Sequence, residues 1–265
     1  IYLVTYYLSG SSFLKLRMSN LRLDLKILKP MFAVGVSSFV QIAASSLSTI
    51  LLLNLILNYG GDMELAAYGI VQRVLMFAGM PGMVIGQALQ PILGYNYGAK
   101  RFSLALKSVK LSLIGSTVIM TSAFVVVYLI PGPIARIFTD DAALVDASVH
   151  ASKLIFLSLP LMGAVNVGQV IFQALGKAMR SFITAIVRPI CFLIPLVYTL
   201  SYFWKLDGVF LSFPASDMLT LVLIFVLTMP VIREFRKKAA MEKETPDLET
   251  EPAQILSVPG KPRLS

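Results

Sequence analysis

The sequence has one cysteine and one histidine among 265 residues. The cysteine, Cys191, lies inside an apolar run, which excludes a disulfide framework and a Cys-x-x-Cys metal pair. The lone histidine, His150, excludes a multi-histidine metal site. Charge is scarce as well: 14% of residues are charged, against about 25% in ordinary soluble domains. Acid is the scarcer sign, with 14 Asp and Glu to 23 Lys and Arg. There is no His-Glu-x-x-His pattern, no Gly-rich Walker loop and no carboxylate pair at helical spacing inside an apolar run. These absences argue against an enzyme and against a resident metal or cofactor.

What the sequence has in excess is apolar surface. Hydrophobic residues make up 57% of it, more than a single soluble core can hide, so lipid must solvate many of them. The net charge of +9 does not indicate nucleic acid, because the cations sit in short segments between long apolar runs.

Six such runs fall at about 30–57, 67–93, 108–130, 152–175, 182–203 and 209–232. Each reaches the roughly 20 residues that a bilayer crossing requires. None shows the alternation of a barrel strand, so the expected fold is an all-α polytopic membrane lobe of six transmembrane helices over 30–233. Residues 1–10, "IYLVTYYLSG", read as the end of a preceding transmembrane helix, which makes the chain the C-terminal part of a longer protein. Residues 11–29 read as a basic linker, residues 131–150 as containing a short interfacial amphipathic helix, and residues 234–265 as a disordered tail. The turn after the second span is expected at Gly94 and Gly98. Lys and Arg concentrate in the segments 11–29, 94–107, 176–181 and the tail, so those face the cytoplasm of a protein in the inner (plasma) membrane.

Charges inside the spans are costly, at least about 2.5 kcal/mol each near the bilayer centre. Three lie more than a turn in from the span ends: Arg73, Arg188 and Asp217. Arg73 and Asp217 sit about two turns in from the same membrane face, which allows either a structural ion pair or a proton or ligand site. Arg188 lies near a cytoplasmic helix end and is expected to snorkel as an interfacial anchor.

Arg73, Met76, Met80, Met83, Gln87 and Gln90 recur every three or four residues and so share one helix face. Met is adaptable and common on surfaces that accept many ligands. Gln41, Ser45 and Ser48 in the first span form a second such stripe, and Met162, Asn166, Gln169 and Gln173 in the fourth form a third. Interhelical hydrogen bonding explains each stripe singly. Three together favour a shared polar cavity.

The same residues carry a family resemblance. "GIVQRVLMFAGMPGMVIGQALQPILGYNYGAKR" resembles the second helix and following loop of the C-terminal lobe of multidrug and toxic compound extrusion (MATE) transporters. "LLNLILNYGGDMELAAYGI", "IFQALGKAMRSFITAIVRPICFLIPLVY" and "LDGVFLSFPASD" are similar to bacterial members in the same order. The resemblance implies a twelve-helix transporter of two lobes, with the N-terminal lobe as this chain's partner in the bilayer. It implies export of small organic cations by alternating access, driven by entry of Na⁺ or H⁺, with no other cofactor. Some members carry coupling carboxylates on the helices that here offer Gln41 and Ser45, and Asn166 and Gln169, so the acid is absent from both. Others place that Asp on the first helix of the other lobe.

The candidate cavity residues are therefore Gln41, Met76, Met80, Met83, Gln87, Asn166 and Gln169, with Asp217 as the coupling acid left in this half. A lipid-linked saccharide flippase and a non-transporting half-protein with a structural role are the alternatives. The first wants more cavity cations than Arg73 and Arg188.

Overall fold

A computed structural model describes residues 25–244. The expected preceding helix end (1–10), most of the basic linker and the tail beyond residue 244 lie outside the described residues.

The described chain is helical, with four stretches long and apolar enough to cross a membrane: Phe39–Gly98, Phe102–Leu129, Ala142–Ala174 and Met179–Glu242. Two of these, of 60 and 64 residues, are far too long for one crossing of a core about 30 Å thick at about 1.5 Å rise per residue. Each is broken once. The helix Leu25–Gly98 breaks at Gly61 (φ 76°, ψ −168°), giving α1 (25–60) and α2 (62–98). Ile194–Glu244 breaks at Lys205 (φ 48°, ψ −123°), giving α8 (194–204) and α9 (206–244). Gly61 suits a positive φ at no steric cost. Lys205 takes one despite its side chain, in the loop "WKLDG".

Between these hairpins run α3 (Phe102–Leu129), α4 (Pro131–Arg136), α5 (Ala142–Ile155), α6 (Leu159–Ala174) and α7 (Ala178–Ile186). A short 3₁₀ turn, Phe156–Ser158, joins α5 to α6, and a π-wound segment, Val187–Leu193, joins α7 to α8. The described residues thus make six long helical passes: α1, α2, α3, α5 with α6, α7 with α8, and α9. α4 and the start of α5 occupy the stretch read as a short amphipathic helix. Asp141 caps α5, its Oδ1 accepting from the Ala143 N–H at 2.9 Å.

Most helices start or end a few residues outside the expected spans, α3 at Phe102 and not 108 among them, and two differences change the reading of a segment. α2 continues through Gly94 to Gly98, so the turn is at 99–101, with Lys100 at φ 58°. α9 continues to Glu244, so residues 234–244 are helical and not a disordered tail. The reason lies in tertiary contacts. Glu242 accepts from the Ser103 N–H (3.0 Å) and its Oγ (3.1 Å) at the start of α3. Phe235 stacks on Tyr97 with ring centroids 5.5 Å apart, and Lys238 Nζ lies 5.1 Å from the Phe102 ring centroid. The Glu234–Lys238 pair (2.7 Å) adds support along the helix. Lys238's hydrogen bond holds the Glu234 carboxyl below its usual range, and the same bond raises the Lys238 amine.

Lipid tails are as apolar as Leu, so close packing and hydrogen bonds hold these helices together. One apolar cluster, with Ile56, Phe156, Leu159 and Phe210, lies towards the Gly61 and Lys205 end. The other, with Leu93, Phe172, Val231 and Phe235, lies towards the Gly98 end. Gly168 lets α6 meet α9 so closely that a Cβ there would collide with Ile224. Ser116 of α3 donates to the Gly163 carbonyl of α6 at 3.1 Å.

Candidate substrate cavity

The Met and Gln residues of α2 lie along one face because they recur at helical spacing, and that face looks across to α6. The two helices approach closely at Gly86, where a Cβ would stand 3.3 Å from Val170 Cγ2. A groove of about 900 Å³ lies alongside that contact, with Gly86 and Val170 in its lining. Met76, Met80, Met83, Gln87 and Gln90 line one wall, Met162, Asn166, Gln169 and Gln173 the other, and Gln41 of α1 completes it. Met76 and Met83 are 63% and 58% exposed, so these thioethers are available to a ligand and not consumed in packing.

A recess of about 360 Å³ continues inward and shares Gln41, Gln72, Leu75, Met162, Asn166 and Gln169 with the groove. Its deeper wall holds Ser48, Tyr68, Ser158, Arg188 and Phe213. Several of these polar groups are fixed. Ser48 Oγ donates to the Ala44 and Pro189 carbonyls, each at 2.9 Å, tying α1 to the π-wound segment. Gln72 donates to the Tyr68 hydroxyl. Gln169 donates to the Thr184 carbonyl at 3.4 Å.

Among the described residues, Arg188 is the only charged one lining the groove or the recess. Its Nε lies 2.5 Å from Asp217 Oδ1. Asp217 itself is fully buried behind the recess, and its Oδ2 has no hydrogen-bond partner among the described residues. The π winding at Val187–Leu193 surrounds this contact, and such segments often accompany functional positions.

The structure brings Gln41, Met76, Met80, Met83, Gln87, Asn166 and Gln169 into one groove. It does not form the expected Arg73–Asp217 pair. Arg73 is exposed, lines neither cavity and has no ion pair among the described residues. Arg188 holds Asp217 instead, so it turns into the lobe and is not an interfacial anchor. A buried carboxylate demands a close cationic partner, and that demand outweighs snorkelling. Sequence reasoning missed Gln72, Tyr68 and Ser158. Gln72 stands four residues before Met76, on the same face, and was eclipsed by the adjacent charge of Arg73.

A MatE family profile matches residues 37–199. Multidrug export protein MepA of Staphylococcus saprophyticus is 26% identical over 209 residues, covering 79% of this chain and 46% of that protein. MepA of Staphylococcus aureus strain N315 is 25% identical over 221 residues, covering 83% and 48%. Among solved structures, a complex of the MATE multidrug transporter DinF-BH is 38% identical, with TM-score 0.75, covering 86% of this chain and 51% of that one. A MATE structure in the bent conformation superposes with TM-score 0.81 at 18% identity, covering 90% and 54%, which speaks for the fold alone. The chain spans about half the length of the relatives it matches. The chain belongs to the MatE family, and it is a membrane protein.

Proposed function

We propose that this MatE family chain forms the C-terminal lobe of a cation-coupled antiporter that exports small organic cations by alternating access. The observation that carries the proposal is the groove of Met and carboxamide groups, lined by no acid among the described residues. Thioethers and amides adapt to many flat, apolar cations without a fixed countercharge. Gln41, Met76, Met80, Met83, Gln87, Asn166 and Gln169 are the proposed substrate contacts. The other lobe of the same protein closes the groove, and the segments rich in Lys and Arg face the cytoplasm. Exchange follows because each ligand shifts only the conformations it binds differently.

Asp217 is proposed as a proton-coupling group in this lobe, supported by its complete burial and its unpartnered oxygen. A flippase for polyanionic lipid headgroups has less support, since Arg188 is the only cation among the described residues at the cavity. The test is accumulation of a fluorescent organic cation by cells carrying the full-length transporter. Expression is expected to lower accumulation, and an ionophore that collapses the ion gradients is expected to restore it. Accumulation that is the same with and without the transporter contradicts the proposal.

A further inference from the structure

Arg188 stands between a buried acid and an open cavity. One edge of its guanidinium meets Asp217, and the residue also lines the recess that opens into the Met and Gln groove. Its side chain is 34% exposed while that of Asp217 is 0% exposed, so Arg188, and not Asp217, forms the surface of the recess.

Among the described residues the other charged side chains line neither the recess nor the groove, Asp62, Glu64 and Arg73 of α2 included. α6 carries no ionisable residue. At the recess α1 and α2 offer Gln41, Ser48 and Gln72, with Tyr68 as the only further titratable group among the described residues, and its hydroxyl is bonded to Gln72. The cations Lys107 and Lys110 of α3 lie near its start, and Arg180 is on the first turn of α7. On α5, Asp146 and Lys153 lie outside the recess, and His150 is bonded to Asp207 at 2.7 Å. Among the described residues, Arg188 is the only charged one acting on the Asp217 carboxylate.

From this geometry we infer that Arg188 transmits the protonation of Asp217 to the cavity, so that a proton and an organic cation exclude one another without sharing an atom. This rests on the export function proposed above. With Asp217 ionised, the pair is neutral and the recess accepts a cation. A proton arriving at Oδ2 converts the carboxylate to a carboxylic acid. Arginine keeps its charge at any working pH, so the guanidinium then stands uncompensated at the wall of a cavity lined by no acid among the described residues. Its positive charge repels a cation already there. By linkage, a bound cation equally disfavours the proton. The site is suited to a proton more than to Na⁺, because the guanidinium against one carboxylate oxygen repels a metal ion from the other, whereas a proton neutralises the group by forming a covalent bond.

Two variants separate this relay from simple attraction by Asp217. If Asp217 merely attracts the cation, removing its charge weakens binding whatever stands at 188. If Arg188 is the relay, removing its charge as well restores binding. The full-length transporter in nanodiscs is titrated with rhodamine 6G, a cationic dye, and binding is followed by fluorescence anisotropy. Native affinity is expected to fall as pH is lowered. Asp217→Asn, which fixes the proton-bound charge state, is expected to bind about tenfold more weakly at neutral pH, the effect of one unit charge at intermediate distance. Arg188→Gln/Asp217→Asn is expected to bind within about threefold of native, with no pH dependence in this range. A double variant as weak as Asp217→Asn overturns the relay alone. A native transporter that does not bind the dye overturns both the relay and the export function on which it rests.

Discussion

Arg188 Nε and Asp217 Oδ1 lie 2.5 Å apart, joining the π-wound segment of the fifth pass to α9 at the inner end of the cavity. Nothing in the sequence spacing pairs these two residues, since 29 positions and a hairpin separate them. The pair also carries a stability consequence. Breaking a buried pair from one side leaves an uncompensated charge, at a cost of about 3–5 kcal/mol. Arg188→Gln alone is therefore expected to lower the thermal unfolding temperature of the detergent-solubilised protein, and Arg188→Gln/Asp217→Asn to recover most of the loss. Equal unfolding temperatures for the single and double variants would show that the pair does not stabilise the lobe.

The groove makes its own prediction. Gln87 is exposed on the cavity face of α2, so Gln87→Leu removes a hydrogen-bonding group from a ligand's surroundings and not from the packed core. A single hydrogen bond is worth about 1 kcal/mol, or roughly fivefold in affinity. Dye export by Gln87→Leu is expected to need a severalfold higher dye concentration, with thermal unfolding unchanged. Arg73→Gln, outside both cavities, serves as the contrast and is expected to leave the dye concentration dependence as it was.

Packing at Gly168 is expected to be intolerant. A Cβ there meets Ile224 of α9, so Gly168→Ala overpacks the α6–α9 contact and is expected to cost about 1–3 kcal/mol. Ile224→Ala in the same chain makes room and should return part of that loss. Detergent thermal-shift measurements of the two variants decide it. A fully stable Gly168→Ala protein means that α6 and α9 sit further apart than described.

The end of α9 should respond to Glu242 and to pH. Removing its carboxylate with Glu242→Ala takes away both bonds to Ser103 and is expected to speed amide hydrogen exchange over 236–244. The Glu234 carboxyl is held low by Lys238, so the stability that their pair contributes is present above the unfolded carboxyl's range. It is lost as pH falls through the lowered folded value. Lys238 is raised by the same bond, so its share is lost as pH rises past the raised amine value. Exchange over this segment should therefore accelerate at both extremes. A pH-independent opening equilibrium there, once intrinsic exchange is corrected for, would contradict the assignment.

The sequence made the six passes legible because apolar runs of crossing length are a strong signal, and the breaks at Gly61 and Lys205 fall in the gaps between those runs, at 58–66 and 204–208. The Met and Gln stripe of α2 was legible for a similar reason: residues three and four apart must share a face. The pairing of charges was not. Depth in the membrane suggested Arg73 for Asp217, but depth says nothing of rotation about the helix axis, and α2 turns Arg73 outward while presenting Gln72 to the recess. The extension of α9 was also hidden. Residues 234–244 have the composition of a solvated tail, and they are helical because Ser103, Phe102 and Tyr97 supply partners from elsewhere in the chain.

The central claim, export of organic cations in exchange for an entering ion, is tested most directly in proteoliposomes containing the full-length transporter and loaded with rhodamine 6G. An inward-directed proton or Na⁺ gradient is imposed while dye release and internal ion concentration are followed together. The account predicts that one of the two gradients accelerates dye release above the protein-free rate, and that external dye in turn slows ion entry. Dye release that matches protein-free liposomes under both gradients would contradict it.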